Sequence, residues 1–167
     1  FLDTVAVLNN RVLDPPCKVI AVDNLRTGLQ DRLAHLTGRS DIVFRQHDVM
    51  RPLQLDEPID WIIHGASIAS PTFYRRYPLE TIDTNITGTR QMLELACQGV
   101  RSFLYLSTSE VYGKNPKETW CEEDDLVLGA TTRPRWSYGA SKAIDEFLAL
   151  ACWRQYQLPV IVGRFFN

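Results

Sequence analysis

With 167 residues, 45% of them apolar and 23% charged, the chain has the size and balance of one globular domain. That balance argues against disorder and fibrous repeats, and no apolar run reaches the ~18 residues a membrane-spanning helix needs. A net charge of -2, with Lys and Arg scattered, offers no field for a nucleic-acid backbone.

Cys17, Cys97, Cys121 and Cys152 show neither zinc-ligand spacing nor a Cys-x-x-Cys pair, so reduced thiols in a cytoplasmic protein are expected. His35, His47 and His64 are equally dispersed, and no metal site is expected. Phe1-Leu2-Asp3 carries no basic stretch, unlike a signal peptide, and reads as a chain that begins mid-sequence.

Residues 1–10 read as the body of a helix. Residues 18–22 are short, β-branched and followed by turn-forming Asp23-Asn24, which predicts a buried strand. A short helix is expected over 29–36, a strand over 41–44, and another over 60–64, stopped by Gly65. Residues 79–98 place Ile82, Ile86, Met92, Leu93, Leu95 and Ala96 at helical spacing, with Gly99 where a C-cap glycine belongs. A strand follows over 102–107. Residues 138–156 carry Ala143, Ile144, Phe147, Leu148, Leu150 and Ala151 as an apolar helical face, and 159–165 form a last strand. Apolar strands alternating with helices predict a parallel sheet covered on both faces, a doubly wound α/β domain. Ligands of such sheets bind beyond the carboxyl ends of the strands.

Those ends carry the candidate residues. Asp23 can accept both hydroxyls of an adenine-linked ribose, which favours NAD over NADP, while Arg26 pulls the other way and a turn-capping aspartate is the plainer alternative. Asp48 can accept from an adenine amino group or simply lie in a surface turn. After the third strand, His64-Gly65-Ala66-Ser67 offers small residues that let a flat dinucleotide approach the backbone, or a tight strand-to-helix turn. The fourth strand ends in Ser107-Thr108-Ser109-Glu110. Tyr138 and Lys142 then share a helix face, where an ammonium lowers a phenol's proton affinity, and Thr108 can share the proton. Glu122-Glu123-Asp124-Asp125 reads as a solvated loop, and Trp120, Trp136 and Trp153 as packing residues.

In this order, Val22-Asp23-Asn24-Leu25, His64-Gly65-Ala66-Ser67, Thr84-Asn85, Thr108 to Gly113, Tyr138 with Lys142, and Arg164-Phe165-Phe166-Asn167 resemble the extended short-chain dehydrogenase/reductases, the NAD-dependent nucleotide-sugar epimerases and dehydratases. The resemblance covers essentially the whole chain and implies a Rossmann-like domain. It places Asp23 on the adenosine ribose, Asp48 on the adenine side, and Ala66 and Ser67 along the pyrophosphate and nicotinamide ribose. Asn24, Val49 and His64 are counted with these cofactor residues. It makes Tyr138 the base, has Lys142 lower its pKa and hold the nicotinamide ribose, and puts Thr108 in the place of the family's serine or threonine. Ser109 and Asn167 would touch the nucleotide sugar.

Within the family, Ser67 to Pro71 and Thr108-Ser109-Glu110 look most like UDP-glucuronate decarboxylases, which implies Glu110 near C5 of the sugar. The Tyr138 to Ala143 segment is closer to epimerases and dehydratases, so a dTDP-glucose 4,6-dehydratase or UDP-sugar 4-epimerase is the alternative. A non-catalytic NAD-binding piece is the alternative of another class. The family's first strand and glycine-rich loop have no counterpart here, and an incomplete NAD-binding domain without the C-terminal substrate domain is expected. The resemblance also implies a homodimer built on helices 79–98 and 138–156.

Overall fold

The computed structural model describes residues 1–166, so the expectation for Asn167 lies outside the described residues. The chain divides into two compact units, Phe1–Asp48 and the residues from Val49 onward.

In the first unit, α1 (Leu2–Arg11) precedes β1 (Val19–Asp23), a 3-10 helix (Gln30–Leu36) and β2 (Ile42–Gln46). β1 and β2 pair in parallel, from Val19 opposite Ile42 to Asp23 opposite Gln46. Ala6, Leu36 and Ile42 form a small core with Leu2, Val19 and Leu33 packed against it. Asn9 ties the unit together. Its amide donates to the Cys17 carbonyl at 2.8 Å and to Asp41 Oδ2 at 2.6 Å, and its oxygen accepts from the Cys17 N–H at 2.9 Å.

The second unit holds β3 (Trp61–His64), α2 (Pro71–Arg76), α3 (Pro78–Ala96), β4 (Ser102–Thr108), a second 3-10 helix (Ser109–Tyr112), α4 (Trp136–Tyr156) and β5 (Val160–Phe165). The three strands form a parallel sheet in the order β3-β4-β5. The parallel strands and intervening helices agree with the expected doubly wound class. Pro71 starts α2 and Pro78 starts α3, as suits a residue that fits a first helical turn and not an interior; α2 lies outside the helix expected over 79–98. Gly99 takes φ +125° just past α3, and its N–H bonds the Ala96 carbonyl at 3.2 Å.

The face α4 buries differs from the sequence expectation, while α3 buries the expected Met92, Leu93 and Ala96. α4 buries Tyr138, Ser141, Lys142, Asp145 and Glu146, while Ile144 and Phe147 of the expected apolar face are exposed. α3 likewise buries Thr81, Thr84, Asn85, Gly88 and Thr89 beside Met92, Leu93 and Ala96. Hydropathy alone points the wrong way here because the buried polar groups satisfy one another (below), which removes most of the cost of burying them. On the sheet, Phe103 and Tyr105 face inward and are fully buried, while Ile63 and Ile161, which flank Leu104 in register, are exposed on the opposite face.

Phe103 is at 0% exposure in the central strand. Phe103→Ala is expected to cost about 3–5 kcal/mol in a urea unfolding experiment, as truncation of a core aromatic does; a loss below ~1 kcal/mol would contradict its central place.

Candidate active site at the end of the central strand

In the first unit the candidate residues cluster at the carboxyl end of β1. Asp23 is exposed, and its Oδ1 accepts the Leu25 N–H at 2.6 Å. Asn24 Oδ1 accepts the Arg26 N–H at 3.0 Å, and Asn24 Nδ2 donates to Asp48 Oδ2 at 3.4 Å. Both side chains therefore brace the turn, as the plainer reading expects. The turn also leaves a cradle: a Cβ built on Gly28 would lie 3.3 Å from both Asp23 carboxylate oxygens. An exposed carboxylate with an open flank fits a ribose diol. Glycine at 28 was not singled out from sequence, and its short distance from Asp23 along the chain was the available signal.

In the second unit the candidates converge where β4 ends against the first turns of α4. Thr108 caps the second 3-10 helix, its Oγ1 accepting the Glu110 N–H at 3.2 Å. Glu110 lies 3.9 Å from Arg135 Nη1, and Ser109 between them is half-buried. Gly139 allows the close approach of α4 to this turn, since a Cβ there would sit 2.8 Å from the Glu110 carbonyl oxygen. The helix thus sets its first turn, with Tyr138 beside Gly139, against the Glu110 backbone.

Tyr138 is buried and stacks on Tyr74, with ring centroids 5.0 Å apart and planes within 3°. A hydrogen-bond chain runs past it. Ser67 Oγ donates to Asn85 Oδ1 at 2.6 Å, Asn85 Nδ2 donates to Ser141 Oγ at 2.8 Å, and Ser141 Oγ donates to the Tyr138 carbonyl at 2.9 Å. Asn85, Ser141 and Tyr74 were given no role from sequence. Asn85 and Ser141 were legible only as buried polar residues on two helices that the fold packs together.

Lys142 is buried as well. Its Nζ donates to the Leu106 carbonyl at 2.6 Å and lies 4.1 Å from the centre of the Tyr105 ring. Burial brings the ammonium down to about 8, opposed by the charges of Asp145 and Glu146. Burial pushes the Tyr138 phenol above its ordinary value, while a hydrogen bond with Ser67 opposes the rise and the Glu110 charge adds to it. This direction is opposite to the sequence expectation, for a physical reason: desolvation disfavours the phenolate, and the lysine charge is directed at Leu106 and Tyr105.

His64, expected along the cofactor, is built into the core. Its Nε2 is 3.0 Å from Thr89 Oγ1, and its ring lies 5.9 Å from that of Tyr105. Burial, then the Lys142 charge, holds it neutral, down to about 3. Val49 is also buried; its Cγ2 fills the space that a Cβ on Gly88 would need, 2.8 Å away. Ala66 and Ser67 are half-buried after β3. Below the site, Glu146 joins strands, accepting from Ser107 Oγ at 2.5 Å and from Arg164 Nη2 at 2.7 Å. Among the described residues no group of three or more His, Cys, Asp or Glu is placed to hold a metal ion, and no helix is long and apolar enough to cross a membrane.

Residues 6–167 match the NAD dependent epimerase/dehydratase family. A UDP-N-acetyl-alpha-D-glucosaminuronate decarboxylase of Bacillus cytotoxicus is 36% identical over 150 residues, covering 89% of this chain and 46% of its own length. A UDP-glucuronic acid decarboxylase of Danio rerio is 35% identical over 160 residues, covering 96% of this chain and 38% of its own. Among solved structures, a dTDP-glucose 4,6-dehydratase of Streptomyces venezuelae with NAD and TYD bound is similar at a TM-score of 0.81 and 26% identity, over 98% of this chain and 50% of that one. The chain spans less than half the length of these curated relatives.

Gly139→Ala is expected to push the second 3-10 helix away from α4 and to cost about 1–3 kcal/mol by thermal denaturation, since the clash is with backbone. An unchanged melting midpoint would show that the two elements are not held at this distance.

Proposed function

Because this chain belongs to the NAD-dependent epimerase/dehydratase family, we propose that it serves an enzyme that removes carbon dioxide from UDP-glucuronate after transient oxidation of the sugar at C4. The observation that carries this reading is the convergence of Thr108, Glu110 and Tyr138 where β4 meets α4, with Glu110 close enough for its charge to act on the Tyr138 phenol. Relatives at 35 and 36% identity named as decarboxylases of UDP-linked uronic acids support it.

The residues fit NAD. In the first unit, the Asp23 carboxylate with its open Gly28 flank would hold the adenosine ribose, with Asn24 bracing the turn and Asp48 on the adenine side. In the second, Ala66, Ser67 and Lys142 would serve the pyrophosphate and nicotinamide ribose. NAD, when bound, supplies a hydride acceptor for C4 and returns the hydride at the end. His64 holds β3 and α3 together instead of meeting a ligand through its imidazole.

Tyr138 takes the proton of the C4 hydroxyl, and the Thr108 hydroxyl shares it. Lys142, one helical turn along, would hold the nicotinamide ribose from its seat on the Leu106 carbonyl and the Tyr105 ring. A ketone at C4 makes the C5 carboxylate a β-keto acid, whose carbon–carbon bond breaks with its electron pair delocalised onto the C4 oxygen. Glu110, held by the Thr108 cap beside Arg135, would manage the proton at C5. A 4,6-dehydratase or 4-epimerase is the second reading, favoured by the Tyr138-Gly139-Ala140-Ser141-Lys142-Ala143 segment.

The complete protein, incubated with NAD and UDP-glucuronate, is expected to release carbon dioxide and form UDP-xylose by mass spectrometry. Glu110→Gln is expected to slow this by about 10²–10⁴-fold, the usual weight of one acid–base group. Intact UDP-glucuronate alongside turnover of dTDP-glucose or UDP-galactose would overturn decarboxylation in favour of the second reading.

A further inference from the structure

The buried face of α4 continues past Lys142 to a carboxylate that the proposed chemistry does not use. Asp145 is at 1% exposure. Its Oδ2 accepts the Tyr105 hydroxyl at 2.6 Å, and its buried Oδ1 has no partner at full hydrogen-bond geometry, with the Thr89 side chain the nearby group that favours its charge. Tyr105 touches both groups: its hydroxyl bonds this carboxylate, and the Lys142 ammonium is 4.1 Å from the centre of its ring. A carboxylate buried this deeply is costly even with such partners, and its persistence needs a reason.

We propose that Asp145 is a positioning residue for Lys142, acting through Tyr105: its negative charge, relayed by the phenol it binds, keeps the buried ammonium charged and seated on the Leu106 carbonyl. This rests on the proposed role of Lys142. A phenol that donates to a carboxylate becomes richer in electron density, and its ring then attracts a cation more strongly. Burial has removed the water that would otherwise stabilise the ammonium, so the neighbouring charge is the available replacement.

The groups facing this pair are few. β3 presents His64, held neutral, and α3 presents Thr89, whose side chain favours the charged form of Asp145. β4 presents Tyr105, held far above its ordinary value by burial and then by Asp145, so it stays protonated and able to donate. β5 presents Arg164, which is committed to Glu146, itself the next acid on α4. Glu110 of the second 3-10 helix is paired at Arg135. Burial lifts Asp145 to about 6, so it is ionised near neutral pH, where Lys142, at about 8, is still charged. The carboxylate raises the lysine's proton affinity; removing its charge moves the lysine's loss of a proton to lower pH.

The test uses the complete protein with its lysines carrying a carbon-13 label at Cε, titrated by NMR, with Lys142→Arg identifying the Lys142 signal. Asp145→Asn keeps an acceptor for Tyr105 and removes only the charge. It is expected to move the Lys142 midpoint acidward by about one pH unit. The alkaline limb of kcat on a turned-over nucleotide sugar is expected to move with it, while KM holds. Tyr105→Phe, which removes the relay and keeps the ring, is expected to move the midpoint the same way and keeps the test open should Asp145→Asn fail to fold. A Lys142 midpoint unmoved in the folded variants, with only the melting temperature lowered, would overturn the proposal and leave Asp145 structural. The lysine titration needs no substrate, so it decides the role of Asp145 even where the substrate proposed above is wrong.

Discussion

An ammonium buried at 3% exposure in the middle of α4 has to be compensated, and the packing around it follows from that need. The Leu106 carbonyl takes its hydrogen bond, the Tyr105 ring takes its charge, and Asp145 and Glu146 sit one turn farther along the same helix face. α4 must therefore turn a polar face to the sheet. A polar face packs only against partners that answer it, and α3 supplies Thr89 and Asn85. The amide of Asn85 bridges the two helices by donating to Ser141, and its oxygen accepts from Ser67 after β3. In the same way Glu146 joins Ser107 of β4 to Arg164 of β5.

This arrangement fixes where chemistry can occur. Lys142 anchors α4 to β4, and Gly139 lets the first turn of the helix reach the Glu110 backbone. Tyr138 then has a single place to be, stacked on Tyr74 beside the cap that Thr108 provides. The groups expected to move protons are all on rigid elements or their immediate caps, which is where precise geometry is easiest to keep.

Much of this was legible in the sequence. The five strands fall within a residue or two of their expected positions, because short β-branched runs ended by Gly, Asp or Ser have few alternatives. The strand-end rule then picked out Asp23, Ser67 and Thr108 without any structure, and the four-residue spacing to Lys142 picked out Tyr138. Which helix face is buried was not legible: Ile144 and Phe147 carry the hydropathy signal, yet Asp145 and Glu146 go inward. A polar residue goes inside when a partner waits there, and the partners are distant in sequence, Tyr105 for Asp145 and Arg164 for Glu146. For the same reason His64, plausible beside a ligand, is a core residue matched to Thr89, and the raised proton affinity of Tyr138 depends on burial that spacing does not reveal.

The most direct measurement is of Lys142→Met in the complete protein, supplied with NAD and UDP-glucuronate and followed by mass spectrometry. Methionine fills a similar volume without charge, so the fold is expected to survive by circular dichroism. Carbon dioxide release is predicted to fall by at least ~10²-fold, because the site would lose the buried ammonium that seats α4 on β4 and would hold the nicotinamide ribose. A folded variant that decarboxylates within about twofold of the natural protein, under the ~0.5 kcal/mol typical of an inconsequential substitution, would contradict the central place given to the buried ammonium.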